Sequence, residues 1–223
     1  MKQVILFDVN ETLLDLSVLQ PHFGRVFGDA VVMQQWFAVL LHTSVVSTLT
    51  EAYHNFGALA GAALDVVAGR LGVELAEEDR SSILGTVREL PPHPDVVPSL
   101  ERLHEAGFRM ATLTNSAPAV VSDQISNAGL SDFFEQLISV DDVRAFKPAP
   151  QPYRHAASKL GVELDQIRLV AAHDWDVHGA LRVGCQAAFI ARGGRTIHPL
   201  YKTPDIISAD LIGVADQILE LDQ

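Results

Sequence analysis

Cysteine is nearly absent. Cys185 stands alone, so no disulfide can close within the chain, and no Cys/His cluster shows zinc-ligand spacing. Cys185 follows Gly184 just before an apolar run and reads as buried filler. Positive charge is also scarce: 16 Lys+Arg stand against 28 Asp+Glu, a net charge of −12. That sign repels phosphate backbones and anionic membranes, so neither nucleic acid nor a membrane is an expected partner. A locally positive pocket for a small anion is still compatible with it. No apolar stretch reaches spanning length, and the N-terminal run stops at Asp8 without a signal-peptide pattern. These absences lead to the expectation of a soluble cytoplasmic protein.

What is present is a globular composition, 48% hydrophobic and 20% charged over 223 residues, enough chain for one domain or two. From about residue 95 onward, short apolar runs alternate with helical patterns. "MATLT", "FEQLISV", "IRLVAAH", "QAAFIA" and "DIISA" read as strands. Between and after them, "SAPAVVSDQISNAG", "PAPQPYRHAASKLG", "DVHGALRVG" and "LIGVADQILEL" read as helices. Continuous apolar strands alternating with helices predict a parallel sheet covered on both faces. Residues 16–93 differ: they are nearly strand-free, with helical spacing in "DAVVMQQWFAVLLHTSVV" and "AGAALDVVAGRLGV". The Pro-rich "LPPHPDVV" separates the two regimes. The fold expected is therefore α/β: a Rossmann-like parallel core formed by 1–15 and 94–223, with a helical cap, 16–93, inserted after the first strand. Such a cap lies over the carboxyl ends of the strands, where open α/β sheets bind ligands.

Polar residues sit at those ends. Asp8 ends the run Val4-Ile5-Leu6-Phe7; Thr114 and Asn115 end "MATLT"; Lys147 follows "FEQLISV"; His173-Asp174-Trp175-Asp176 follow "IRLVAAH". Any one carboxylate or amide among them could merely cap a helix or close an Asx turn. Capping gives no reason for a lysine in the same ring, so the set points to a site.

These stretches resemble the four motifs of the haloacid dehalogenase superfamily, in order: "FDVNETLLDL", "TLTNS", "FKP" and "VAAHDWDVHGA". The resemblance covers essentially the whole chain, with the helical insertion between the first and second motifs. The superfamily's commonest activity is phosphate transfer, using an aspartate nucleophile, a second aspartate two residues on and Mg²⁺. Here that second position is Asn10, which can neither protonate an alkoxide nor take a proton from water. Ala171 falls where one of two acids of the fourth motif is expected, leaving Asp176 alone and weakening the case for Mg²⁺. Halide, in contrast, leaves without a proton, and an aspartate can displace it directly to give an ester.

The chain accordingly resembles the L-2-haloacid dehalogenase branch, in which the second aspartate is missing, the cap is helical and no metal is used. The implied activity is metal-independent, cofactor-free hydrolysis of short 2-haloalkanoic acids through an aspartyl ester. Asp8 would be the nucleophile, oriented by Thr12 and kept ionised by Lys147; Asp176 would pair with Lys147 and serve the hydrolytic water. Thr114 and Asn115 would hold the substrate carboxylate or the ester oxygen, with Asn10 and Tyr153 at the substrate. Leu41, Phe56 and Trp175 would form an apolar wall. Two departures stand out. Phe37 occupies the position of a branch arginine that helps receive halide, and Ala171 and His173 replace a serine and an asparagine. His173 could donate to halide or substrate carboxylate, act as base for the water, or be structural. The alternatives are a Mg²⁺-dependent phosphatase of the same superfamily, or a degenerate member binding or acting on another small acid. The apolar cap face would suit a homodimer.

Overall fold

The computed structural model describes residues 3–221. Strand β1 (Val4–Phe7) is buried at every position, with Val4 and Leu6 on one face and Ile5 and Phe7 on the other. Only a strand in the middle of a sheet, helices covering both sides, hides both sets. The chain then runs through four helices: α1 (Gln20–Phe27), α2 (Val32–Leu49), α3 (Phe56–Leu71) and α4 (Glu77–Thr86). It returns through α5 (Val96–Glu105), β2 (Arg109–Thr114), α6 (Pro118–Asn127), β3 (Gln136–Ser139) and α7 (Pro150–Leu160). It ends with β4 (Ile167–Ala171), α8 (Asp174–Val183), β5 (Gln186–Ile190), β6 (Ile206–Ser208) and α9 (Leu211–Leu221).

All strand pairs are parallel, in the order β3-β2-β1-β4-β5-β6. The order reverses beside β1, so the connections leave to opposite faces of the sheet and a crevice opens at the carboxyl ends of β1 and β4. Tyr153, Ala156 and Val177 pack on the Val4–Leu6 face; Leu100, Val121 and Val214 pack on the Ile5–Phe7 face. The expected strands and helices of this half all form, with bounds within about two residues of their sequence runs.

The helical insertion stands over that crevice. Its entry and exit run side by side: Leu14 bridges Pro92, the Asp15 N–H donates to Pro91 O at 2.8 Å, and the His93 N–H donates to Leu13 O at 2.9 Å. Inside it, fully buried Trp36 packs against Phe23 at 5.4 Å and donates its indole N–H to Ala60 O at 2.9 Å, satisfying the one polar atom of the ring. Asn55 caps α3 by accepting from the Ala58 N–H at 2.9 Å, and Gly72 ends it in the left-handed region, φ 65°. The insertion also touches the lysine loop, where the Phe146 N–H donates to Thr48 Oγ1 at 3.0 Å.

Candidate active site

β1 delivers Asp8 to the floor of the crevice, 5% exposed. One turn on, Thr12 donates its hydroxyl to Asp8 Oδ2 at 2.6 Å and accepts the Ala172 N–H at 2.9 Å, which fixes both the hydroxyl and the carboxylate plane. Lys147 arrives on the loop after β3, its backbone N–H held by Asn115 Oδ1 at 3.1 Å. Its ammonium is wholly buried and donates to Asp8 Oδ1 at 2.8 Å, Asp176 Oδ2 at 2.6 Å and Leu113 O at 2.7 Å. All three hydrogens are therefore placed. Asp176, in the first turn of α8, accepts from Tyr153 Oη at 2.6 Å on its other oxygen. The positive end of the helix dipole favours a carboxylate there.

The charges follow from this geometry. Burial alone would raise the Asp8 carboxyl, but the Lys147 charge and the His173 hydrogen bond outweigh it and hold Asp8 far below the usual carboxylate range. Burial raises Asp176, and the nearby Asp8 charge adds to that, against the pull of Lys147. Two carboxylates thus share one ammonium, with Asp8 the firmly ionised partner and Asp176 the more basic one, the division of labour required of a nucleophile and a base.

A third charged group closes the set. His173 Nδ1 lies 3.0 Å from Asp8 Oδ2, and its Nε2 lies 2.9 Å from Glu11 Oε2. Glu11 in turn forms an ion pair with Arg195. A neutral imidazole donates from only one nitrogen, so a ring flanked by two carboxylates is fully satisfied only as imidazolium. Burial would lower its pKa; the hydrogen bonds to Asp8 and Glu11 and then their charges raise it to about 9. Phe37 and Trp175 stack on this ring at 6.0 and 4.9 Å between centroids, an arrangement that favours a cation. Glu11 and Arg195 are site residues that sequence reasoning missed. The one backbone signal is at Glu11, which holds φ 62°, the left-handed region that non-glycine residues seldom occupy.

Two cavities meet at Phe37. One, of about 280 Å³, is lined by Asn10, Phe37, Leu40, Phe56 and Ser116. The other, of about 700 Å³, is lined by Glu11, Phe37, Leu41, His173 and Arg195 among others. Of the residues expected to form an apolar wall, Leu41 lines the larger cavity and Phe56 the smaller, while Trp175 stacks on His173. Tyr153, expected at the substrate, is fully buried behind Asp176 and lines neither cavity, because its hydroxyl is needed by that carboxylate. Asn10 does face the smaller cavity; it accepts from Gln124 Nε2 at 2.9 Å and donates to Ser116 Oγ at 3.2 Å. Thr114 is buried at the tip of β2 and accepts the Ser116 N–H at 3.1 Å. Gln124 and Ser116 are further residues the sequence did not mark.

Mg²⁺ does not fit these residues. Asp8 and Asp176 each already give an oxygen to the Lys147 ammonium, and Asn10 and Ala171 supply no carboxylate that would complete an oxygen-rich set. Of the further acids, Glu11 is engaged by His173 and Arg195, and Asp174 accepts the His198 N–H at 3.0 Å. Among the described residues no group of three or more His, Cys, Asp or Glu is arranged to hold a metal.

Close approach of α8 to the lysine loop depends on Gly179. A Cβ there would lie 2.6 Å from Tyr153 Oη and 2.7 Å from Pro148 Cβ. Gly179→Ala is expected to cost about 1–3 kcal/mol in urea unfolding and to lower activity by displacing Tyr153 from Asp176. An unchanged urea midpoint would contradict this packing.

The chain can now be set beside known proteins. The sequence model of haloacid dehalogenase-like hydrolases matches residues 2–184. The (S)-2-haloacid dehalogenase of Pseudomonas sp. (strain YL) is 30% identical over 203 residues, covering 90% of this chain and 88% of the relative. Haloacetate dehalogenase H-2 of Moraxella sp. (strain B) is 29% identical over 98% of this chain and 97% of its own. The solved L-2-haloacid dehalogenase from Xanthobacter autotrophicus, with chloropropionic acid covalently bound, superposes with a TM-score of 0.91 at 26% identity, over 98% of this chain and 99% of that one. A match of that extent, on a sheet that brings Asp8, Lys147 and Asp176 together at its switch point, makes this chain a member of the haloacid dehalogenase-like hydrolase family.

Proposed function

We propose that this chain hydrolyses the carbon–halogen bond of short 2-haloalkanoic acids, without a metal, through an ester formed on Asp8. The observation that carries this reading is the Asp8–Lys147–Asp176 cluster with Asn10 in place of a second acid: an ionised, buried nucleophile with no proton donor for a poor leaving group. The named relatives act on this substrate class, and the covalent chloropropionic acid in one solved structure fits an ester intermediate.

In the first half-reaction an Asp8 oxygen attacks the halogen-bearing carbon from behind; the new C–O bond forms as the C–X bond breaks and halide leaves unprotonated. Backside attack inverts the centre, so an S substrate gives an R hydroxy acid. In the second half-reaction Asp176 takes a proton from water, whose oxygen adds to Asp8 Cγ. Collapse expels the substrate alkoxide, which takes a proton from Lys147, and Asp176 returns its proton to the lysine. Asp8 is left as an acid that loses its own proton to solvent.

Halide release from L-2-chloropropionate, chloroacetate and fluoroacetate with EDTA present tests this reading. Release unaffected by chelator is expected; Mg²⁺-dependent phosphate release from a generic ester, with no halide, would favour the phosphatase instead. The replacement of the branch arginine by Phe37, whose ring stacks on His173, further predicts that kcat/KM falls as the alkyl chain lengthens beyond acetate. Equal values across a chain-length series would sink that preference. The reading includes a homodimer through the cap, where Val45, Val46 and Leu49 leave apolar side chains exposed on α2. A monomer in sedimentation equilibrium would remove that part.

A further inference from the structure

We propose that His173 acts in the second half-reaction, where its Nδ1–H and the Thr12 hydroxyl form an oxyanion hole on Asp8 Oδ2, and that Glu11 is the positioning residue that keeps the ring a cation. The inference rests on the dehalogenase reading above. The two oxygens of the nucleophile are not equivalent. Oδ2 receives two donors, Thr12 at 2.6 Å and His173 at 3.0 Å, whereas Oδ1 receives Lys147 at 2.8 Å. Esterification turns one carboxylate oxygen into an ether oxygen, a poor acceptor, and leaves the other a carbonyl, a good one. Alkylation at Oδ1 keeps both donors on the carbonyl oxygen, and alkylation at Oδ2 would strand them. Oδ1 is therefore the attacking atom and Oδ2 the oxygen on which negative charge grows when water adds to Cγ.

Donors already aimed at that oxygen, in a site this buried, stabilise the charge without reorganising. When the intermediate collapses, the Cγ–Oδ1 bond breaks and the leaving alkoxide is born 2.8 Å from the Lys147 ammonium. The lysine thereby supplies the proton that Asn10 cannot.

The same contacts argue against His173 as the halide group. Both its ring nitrogens already face carboxylates, so the imidazolium has no free hydrogen for a departing ion. Phe37 belongs with this arrangement. An arginine at position 37 would set a second cation against the ring face that Phe37 now covers at 6.0 Å. His173 and Phe37 thus form a matched pair of departures from the branch pattern.

Glu11 matters once Asp8 is esterified. The ring then loses one of its two negative neighbours, and Glu11 is the carboxylate that remains on it. The other groups around the ring are Arg195 behind Glu11, Lys147 on the far oxygen of Asp8, and the uncharged Phe37 of α2 and Trp175 of α8. Without Glu11 the ring would deprotonate at lower pH in the ester, and the hole would lose its cation. The left-handed backbone at Glu11 is the local distortion that aims this carboxylate at the ring.

Rapid-quench kinetics with chloroacetate, recording both the halide burst and the mass of the Asp8 adduct, separates the two steps. His173→Gln is expected to release one halide per enzyme at close to the wild-type rate and then stall, with ester hydrolysis slowed on the order of 10²–10³-fold and the carboxymethyl adduct accumulating. His173→Asn, whose amide nitrogen falls where the ring's Nδ1 donates but carries no charge, is expected to fall between wild type and His173→Gln. A burst slowed as much as turnover, with no adduct, would overturn the inference and assign His173 to the first step. For Glu11→Gln, the alkaline limb of the hydrolysis step should move to lower pH while the burst keeps its rate. A uniform loss in both steps with the limb unmoved would reduce Glu11 to a structural role and overturn its part. If the wild type releases no halide, the dehalogenase reading itself fails, and that is visible before any variant is made.

Discussion

Lys147→Met is expected to abolish turnover and to destabilise the fold by about 3–5 kcal/mol, because it leaves buried carboxylates without their shared cation. The ammonium is wholly buried and bonded to Asp8, Asp176 and Leu113 O, so nothing in solvent can replace it. The dependence on pH has a definite sign. In the wild type Asp8 is held below its ordinary value of 3.8, so its pairing stabilises the fold above that pH and is lost only as the pH falls toward the depressed value. In the variant Asp176 has lost its only cation and burial raises it, while Asp8 keeps the His173 imidazolium; protonation of Asp176 relieves the cost, so acid favours the folded form. The gap in urea midpoint between wild type and variant should therefore narrow as the pH is lowered from 8 toward 5 (roughly the range over which buried carboxyls protonate). A constant gap, or a variant as stable as the wild type at pH 8, would contradict the buried ion cluster.

Asp8→Asn is expected to reduce halide release on the order of 10⁴-fold or more, the scale seen when one member of a nucleophilic unit is removed. The amide has the shape of the carboxylate but no charged oxygen with which to form the ester. Its effect on stability should be smaller than that of Lys147→Met, since Lys147 keeps Asp176 and Leu113 O as partners. His173 loses one of its two carboxylates, so its pKa should drop from about 9 and be visible by NMR titration of the ring. Residual halide release within tenfold of the wild type would show that Asp8 is not the nucleophile, whatever the fold.

The sheet was legible because its strands are short, continuous apolar runs ending in polar residues, and only a parallel sheet with two covered faces accounts for both features. Asp8, Thr114, Lys147 and Asp176 could be gathered from the chain for the same reason: strand tips of such a sheet converge, whatever their separation in sequence. Glu11 could not. Its side chain meets His173 from a backbone that turns left-handed, and no residue pattern marks a glutamate for that conformation. Arg195 comes from the irregular stretch after β5, where no periodicity fixes direction. The position of Phe37 was read from motif alignment, but its stacking on His173 joins the insertion to the core, a relation that neither half carries alone. Tyr153 shows a role that its motif position alone does not carry: its hydroxyl holds Asp176.

In the covalent mechanism water meets an ester on Asp8 and not the substrate carbon. A single turnover of chloroacetate in H₂¹⁸O, with enzyme in excess, tests it most directly. The hydroxyl oxygen of the first glycolate is expected to be unlabelled, because it was Asp8 Oδ1, and the label is expected in the Asp8 carboxylate. Labelled glycolate from the first turnover, with an unlabelled Asp8, would show that water attacks carbon directly and would contradict the covalent mechanism.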